Sequence, residues 1–270
     1  QFGIEVVVDL PGVGENLQDR YEVGVVSEFP KPFVLLEGAT FAPPKPGGPS
    51  DPFFLLWEKG QGIYATNGAL LGILKRSDKE RPEPDLYIFG LPGFFTGYKP
   101  GYSELFEQQR NRFTWAVLKA YTNNTAGRVT LQSKDPRKWP RIDFHYFSEG
   151  NDQQGADLDA VVDGIQFVRE MNKTLGAVQE LCPGPAYNTP QRLREFIQNE
   201  AWGHHASCTN KIGGVNDEYA VMDSRFRVRA SYATAAGASG AGQAVALTPE
   251  SGYFWFFDDA NVEIVVKAID

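Results

Sequence analysis

Glu200-Ala-Trp-Gly-His204-His205-Ala-Ser-Cys-Thr-Asn-Lys-Ile-Gly213 is the stretch against which the rest of the chain is read. It holds two of the three histidines, one of the two cysteines and a tryptophan, set among small residues that leave room for a bound molecule. Imidazole is the side chain that titrates nearest neutrality, so it can accept a proton at neutral pH and give it back. His204 and His205 are therefore the candidate bases, the alternative being a hydrogen-bonded structural pair. A metal centre is disfavoured. Adjacent histidines rarely converge on one ion, a structural zinc takes about four ligands, and only Cys208 lies nearby.

The wording around these histidines is more specific than their chemistry. His205-Ala-Ser-Cys-Thr209, a glycine at 213, and then Val-Met-Asp223-Ser-Arg225-Phe-Arg227-Val resemble the C-terminal signature region of the glucose-methanol-choline (GMC) family of FAD-dependent oxidoreductases. In that family the histidine four residues before the threonine is the base at the flavin, which implies His205, with His204 beside it; Cys208 stands where many members have glycine. Asp9-Leu-Pro-Gly-Val-Gly-Glu-Asn-Leu-Gln-Asp19 resembles a second family segment, one that lies beside the cofactor, and implies FAD contacts at Gly14, Asn16, Leu17 and Asp19. The usual next residue is His, and here it is Arg20. Gly127-Arg-Val-Thr-Leu, Asp135-Pro136 and Pro140-Arg-Ile-Asp-Phe-His-Tyr146 continue the resemblance. It implies an alcohol substrate whose hydroxyl proton goes to His205 while a hydride leaves its carbon for the flavin N5.

Composition is compatible with this and excludes other classes. With 270 residues, 42% hydrophobic, the chain can bury a substantial core. A net charge of −8 without any Lys/Arg run argues against nucleic acid. No apolar stretch approaches the roughly 20 residues of a membrane span, and the start has neither a basic nor an apolar leader pattern. Secreted and cytoplasmic locations both stay open, as does pairing of Cys182 with Cys208.

Along the chain, residues 4–8 form a β-branched run stopped by Pro11-Gly12 and read as a strand. Residues 21–29 alternate, with Val23, Val25 and Ser27 on one face. Residues 30–52 carry seven prolines and read as a surface loop, lid-like by the resemblance. Strands are expected at 69–74 and 85–89, and residues 112–121, apolar on both faces, read as a central strand. Residues 127–147 read as strand, turn, strand, with His145 structural. Two helices follow: 157–172, with an apolar stripe from Leu158 to Met171, and one capped by Thr189-Pro190 that ends near Asn199. Trp202 and Tyr64 are the candidate walls of a substrate pocket.

Strands joined by short turns without crossover helices predict an α+β fold, a mainly antiparallel sheet flanked by helices. By the resemblance, residues 1–20 are a remnant of the FAD-binding domain and 21–200 a substrate-binding domain with the lid-like loop at 30–52. Residues 201–229 are the histidine-loop region and 230–270 a divergent tail rich in Ala, Gly and Ser at its start. No Gly-x-Gly-x-x-Gly fingerprint is present, and no histidine follows His205 to match the family's second catalytic position. The expectation is thus an FAD-dependent oxidoreductase acting on an alcohol, the alternative a catalytically inactive remnant that at most binds a ligand or partner.

Overall fold

A computed structural model describes residues 2–6, 8–42, 44–48, 51–229, 254–257 and 263–266. The chain divides into two compact units, and it passes between them more than once. Gln1–Asp19, Thr122–Gly155 and His204–Asp270 make one, called here the histidine unit; Arg20–Tyr121 and Ala156–Gly203 make the other, the sheet unit. These divisions do not follow the boundaries expected from the sequence. Residues 122–155 fall with both the N-terminal segment and the histidine loop, because Leu17 bridges to Gly127 and Gln18 to Ser207.

In the sheet unit the elements in order are β1 (Glu22–Glu28), α1 (Pro52–Trp57), β2 (Leu71–Lys75), β3 (Leu86–Leu91), α2 (Glu104–Gln108) and β4 (Arg112–Lys119). After the histidine-unit strands β5 (Arg128–Thr130) and β6 (Arg141–Asp143) come α3 (Ala156–Leu175), β7 (Gln179–Cys182) and α4 (Pro190–Glu200). The sheet is open and antiparallel in the order β2-β3-β4-β1-β7. The central place of β4 follows from its sequence, since residues 113–119 are all buried.

Register sorts the two faces. Val23, Val25 and Ser27 pair with Val117, Trp115 and Phe113, and this face carries α3. A Cβ on Gly164 of α3 would come within 2.5 Å of Val117, so the missing side chain is what lets helix and strand approach. The Trp115 indole donates to Asn172 at 3.0 Å, and the Asn172 amide donates to Ser27 Oγ at 2.9 Å, which satisfies three buried polar groups across the contact. Below them lies Lys119, fully buried, with its ammonium 3.5 Å from both Asp85 and Asp157.

The opposite face bears Glu22, Gly24, Thr114, Ala116 and Leu118. Gly24 and Ala116 are small there for a reason: a Cβ on Gly24 would meet the Phe95 carbonyl at 2.4 Å. Thr114 fixes the overlying segment, donating to the Gly93 carbonyl and accepting from the Phe95 amide. The loop at 30–52 is closed at its neck. Asp51 caps α1 through the Phe54 amide and also accepts from the Thr40 amide, the Thr40 hydroxyl and the Tyr64 hydroxyl.

In the histidine unit β5 and β6 form an antiparallel pair, as expected. His145 lies just beyond β6 with a left-handed φ of 50°, its carbonyl taking the Asn124 amide. Of the strand expected at 4–8, the described residues 4–6 and 8 belong to no sheet, and Ile4 and Val6 are exposed. β-branched residues favour strands by packing on a half-buried surface, which these lack. Two short strands, β8 (Phe254–Phe257) and β9 (Glu263–Val266), pair antiparallel; the rest of the tail at 230–270 lies outside the described residues. Among the described residues no helix is long and apolar enough to cross a membrane.

Candidate functional site

The histidine loop is held by a ribbon of backbone contacts. Gly14 donates its amide to Thr209 at 2.9 Å, and Gln18 and Ser207 exchange amide bonds at 3.1 and 2.9 Å. The Asn16 side-chain amide donates to the Cys208 carbonyl at 3.2 Å. On its other edge the same ribbon meets the β5 segment: Leu17 N–H donates to Gly127 and Val129 N–H to Gly14. Gly14 is required at this crossing, with φ 81° and a would-be Cβ only 2.2 Å from the Val129 carbonyl.

His205 leaves the ribbon with its backbone amide donating to Asp19 Oδ1 at 3.0 Å. The other oxygen of that buried carboxylate accepts the Tyr146 hydroxyl at 3.3 Å. His204 is exposed and His205 half-buried, their ring centroids 4.1 Å apart. The structure therefore gathers His204, His205, Gly14, Asn16, Leu17 and Asp19 into one unit. Leu17 serves as core there, 3% exposed. Cys208 adopts φ 73°, a conformation that favours glycine, which gives a physical reason for the glycine expected at that place.

These residues fit the redox end of a flavin and not its phosphates. The amides of Gly14, Leu17 and Gln18 and the Asn16 side chain are committed to Thr209, Gly127, Ser207 and Cys208, so these groups are not available to an anion. The two imidazoles bring ring nitrogens that can donate to or accept from a planar polar ring.

Trp202 and Tyr64 belong to the sheet unit and are joined by one row of aromatic rings, which continues past Tyr64 to Phe53 at 5.7 Å. Trp202 meets Phe95 and Tyr98 edge-on at 5.6 and 5.7 Å; Tyr102 meets both of those rings; Phe106 links Tyr102 to Phe41, and Phe41 meets Tyr64 at 5.3 Å. Tyr64 also stays fixed by hydrogen bonds, accepting the Thr40 and Phe41 amides while donating to Asp51.

Sequence reasoning missed Glu22. Its backbone exchanges hydrogen bonds with Trp202 at 2.9 and 3.1 Å, and its carboxylate is fully buried on the sheet face overlain by Phe95. Burial raises the pKa of the Tyr98 phenol, and the neighbouring Tyr102 and Glu22 raise it further. The available signal was a carboxylate opening the apolar run Val23-Gly-Val-Val26 of a strand. Among the described residues neither cysteine forms a disulfide; burial, with Glu200 and Glu180 adding, pushes the Cys182 thiol up to about 11.

Residues 123–231 match a sequence family described as GMC oxidoreductase. An oxygen-dependent choline dehydrogenase of Stenotrophomonas maltophilia is 32% identical over 232 residues, 83% of this chain and 38% of the relative. An oxygen-dependent choline dehydrogenase of Chromohalobacter salexigens is 31% identical over 84% of this chain and 39% of the relative. Among solved structures, a formate oxidase of Aspergillus oryzae solved to follow FAD modification superimposes with a TM-score of 0.64 at 19% identity, covering 84% of this chain and 42% of that one. A pyridoxine 4-oxidase from Mesorbium loti gives 0.58 at 17%, covering 84% and 38%. At these identities the solved structures bear on the fold alone. The chain spans about two fifths of the length of the curated relatives.

Proposed function

This chain belongs to the GMC oxidoreductase family, and from that premise we propose that it takes part in the FAD-dependent oxidation of an alcohol, with His205 removing the hydroxyl proton. The observation that carries the proposal is the half-exposed His205 ring on a backbone anchored to a buried carboxylate. A base so held has its Cα–Cβ direction fixed, which narrows the arc open to the ring, and general-base assistance contributes about 10² to 10⁴ in rate. Bound FAD supplies the acceptor for the hydride that leaves the alcohol carbon. Loss of the hydroxyl proton to His205 builds alkoxide character, which makes that departure feasible. His204 lies against His205, the ring centroids 4.1 Å apart, and adds a second imidazole beside the base.

The substrate class we propose is an alcohol carrying a positive charge. In the sheet unit Glu22 buries a carboxyl group, and Phe95, Tyr98, Tyr102 and Trp202 are rings whose faces are of the kind that receive quaternary or alkylated ammonium groups. Choline, the substrate named for the relatives, has this chemistry.

The test begins with the purified chain, desalted after incubation with FAD, and its visible flavin absorbance. The expected result is a retained band that choline bleaches without oxygen, with His205→Ala keeping the band and bleaching about 10² to 10⁴ more slowly. Equal bleaching in both proteins would refute His205 as base. Absence of a retained band would favour the inactive alternative for this chain.

A further inference from the structure

We propose that Asp19 and Tyr146 are positioning residues that clamp the backbone of His205. The catalytic meaning of the clamp rests on His205 being the base; its existence rests on geometry alone. Asp19 is 5% exposed, and its two oxygens are engaged by groups from distant parts of the sequence, the His205 amide at 3.0 Å and the Tyr146 hydroxyl at 3.3 Å. Hydrogen bonds to an ionised carboxylate are roughly twice as strong as neutral ones, and the His205 contact at 3.0 Å is comparable in length with the backbone bonds of the ribbon.

The clamp completes a register that the backbone bonds begin. Gly14, Asn16 and Gln18 engage Thr209, Cys208 and Ser207 in antiparallel order, and Asp19 then reaches His205 with its side chain. Asn16 and Cys208, which contact one another, both hold left-handed backbone, with φ 64° and 73°. Such conformations cost free energy and persist where surrounding contacts enforce them. Tyr146 is itself set by Phe144 and Phe147, whose rings lie 5.1 and 6.1 Å away. Fixing the amide of His205 fixes the direction of its Cα–Cβ bond, and with it the arc open to the imidazole.

Hydrogen–deuterium exchange of the purified chain reads the clamp without any turnover. Asp19→Ala should speed exchange of the His205 amide about tenfold, the cost of one hydrogen bond to a charged acceptor. The Gln18 and Ser207 amides should stay slow, and Asp19→Asn, which keeps an acceptor oxygen, should restore slow exchange at His205. In turnover with FAD, Asp19→Ala should lower kcat by up to about a hundredfold with KM unchanged, again with rescue by Asn. Unchanged exchange at His205 in Asp19→Ala would overturn the proposal. So would acceleration of Gln18 and Ser207 by the same factor, since the carboxylate would then merely support the fold. Turnover that survives His205→Ala would sink the base reading by itself, while exchange at His205 still decides the clamp.

Discussion

Replacing Lys119 by methionine keeps the length of the side chain and removes its charge from the middle of the sheet unit. The ammonium is 0% exposed, 3.5 Å from Asp85 and from Asp157, 2.7 Å from the Tyr121 carbonyl and 4.4 Å from the centre of the Tyr121 ring. At an effective dielectric of about 20, each ion pair is worth roughly 5 kcal/mol of attraction. Burial opposes this: it is the largest influence on Lys119 and lowers its pKa against the pull of Asp157 and Asp85. The ammonium's own balance is therefore small, and the cost of removing it comes from what stays behind, two carboxylates that are both 0% exposed. For Asp85, burial works upward, but the Ser77 amide and hydroxyl, Lys119 and Arg81 together hold its carboxyl below the usual range. Deleting one partner of such a buried set costs about 3–5 kcal/mol, which lowers the Tm of a unit of this size by about 10 °C. Thermal unfolding followed by circular dichroism measures it, and Lys119→Met combined with Asp157→Asn should recover about half of the loss. A single variant within about 1 kcal/mol of the parent would refute the reasoning, because the carboxylates would then be solvated or neutralised cheaply.

Glu22→Gln should weaken binding of a cationic alcohol about thirtyfold and spare its neutral tert-butyl analogue; equal losses, read as KM, would rule out charge recognition. Cys208→Gly should relieve left-handed strain and stabilise by about 0.5–1 kcal/mol, and a destabilised protein in urea unfolding would contradict that. Burial raises Asp51, yet the Thr40, Phe54 and Tyr64 hydrogen bonds prevail and lower it from 3.8 to about 2. Its contribution to the loop neck is therefore complete above pH 3.8 and lost as pH falls toward 2, so proteolysis by an acid protease at residues 40–51 should rise over that window. Asp51→Asn should already be sensitive at neutral pH, and a pH-independent parent would disprove the assignment. Gly164→Ala should destabilise by about 1–2 kcal/mol in thermal unfolding, because overpacking against Val117 outweighs the gain in helix propensity.

Elements whose sequence meets one constraint throughout were legible. β4 is apolar on both faces and lies at the sheet centre, β1 falls where the alternation of residues 21–29 put a strand, although both of its faces are buried, and Thr189 caps α4 through the Arg192 amide. β7 and α2 were not, being four and five residues long, too short for a period to show. The run at 4–8 shows the opposite failure, local propensity without a surface to pack on. At the site, the motif identified His205, but its anchoring to Asp19 spans 186 positions and exists only in three dimensions. Trp202 and Tyr64 were singled out separately; that a row of rings joins them depends on Phe41 and on Phe95, Tyr102 and Phe106, from two further stretches of chain.

The division of the chain has a kinetic consequence. Each unit is assembled from discontinuous segments, with cuts after Asp19, Tyr121, Gly155 and Gly203, so no single cleavage releases either one whole. Contacts such as Asn16 with Cys208, 192 positions apart, become available only after the long intervening chain has closed a loop, at an entropic cost that local contacts cannot repay. High contact order of this kind slows folding. The orientation of His205 should accordingly be among the last features to form, and the ribbon that holds it the first to be lost when a variant folds incompletely.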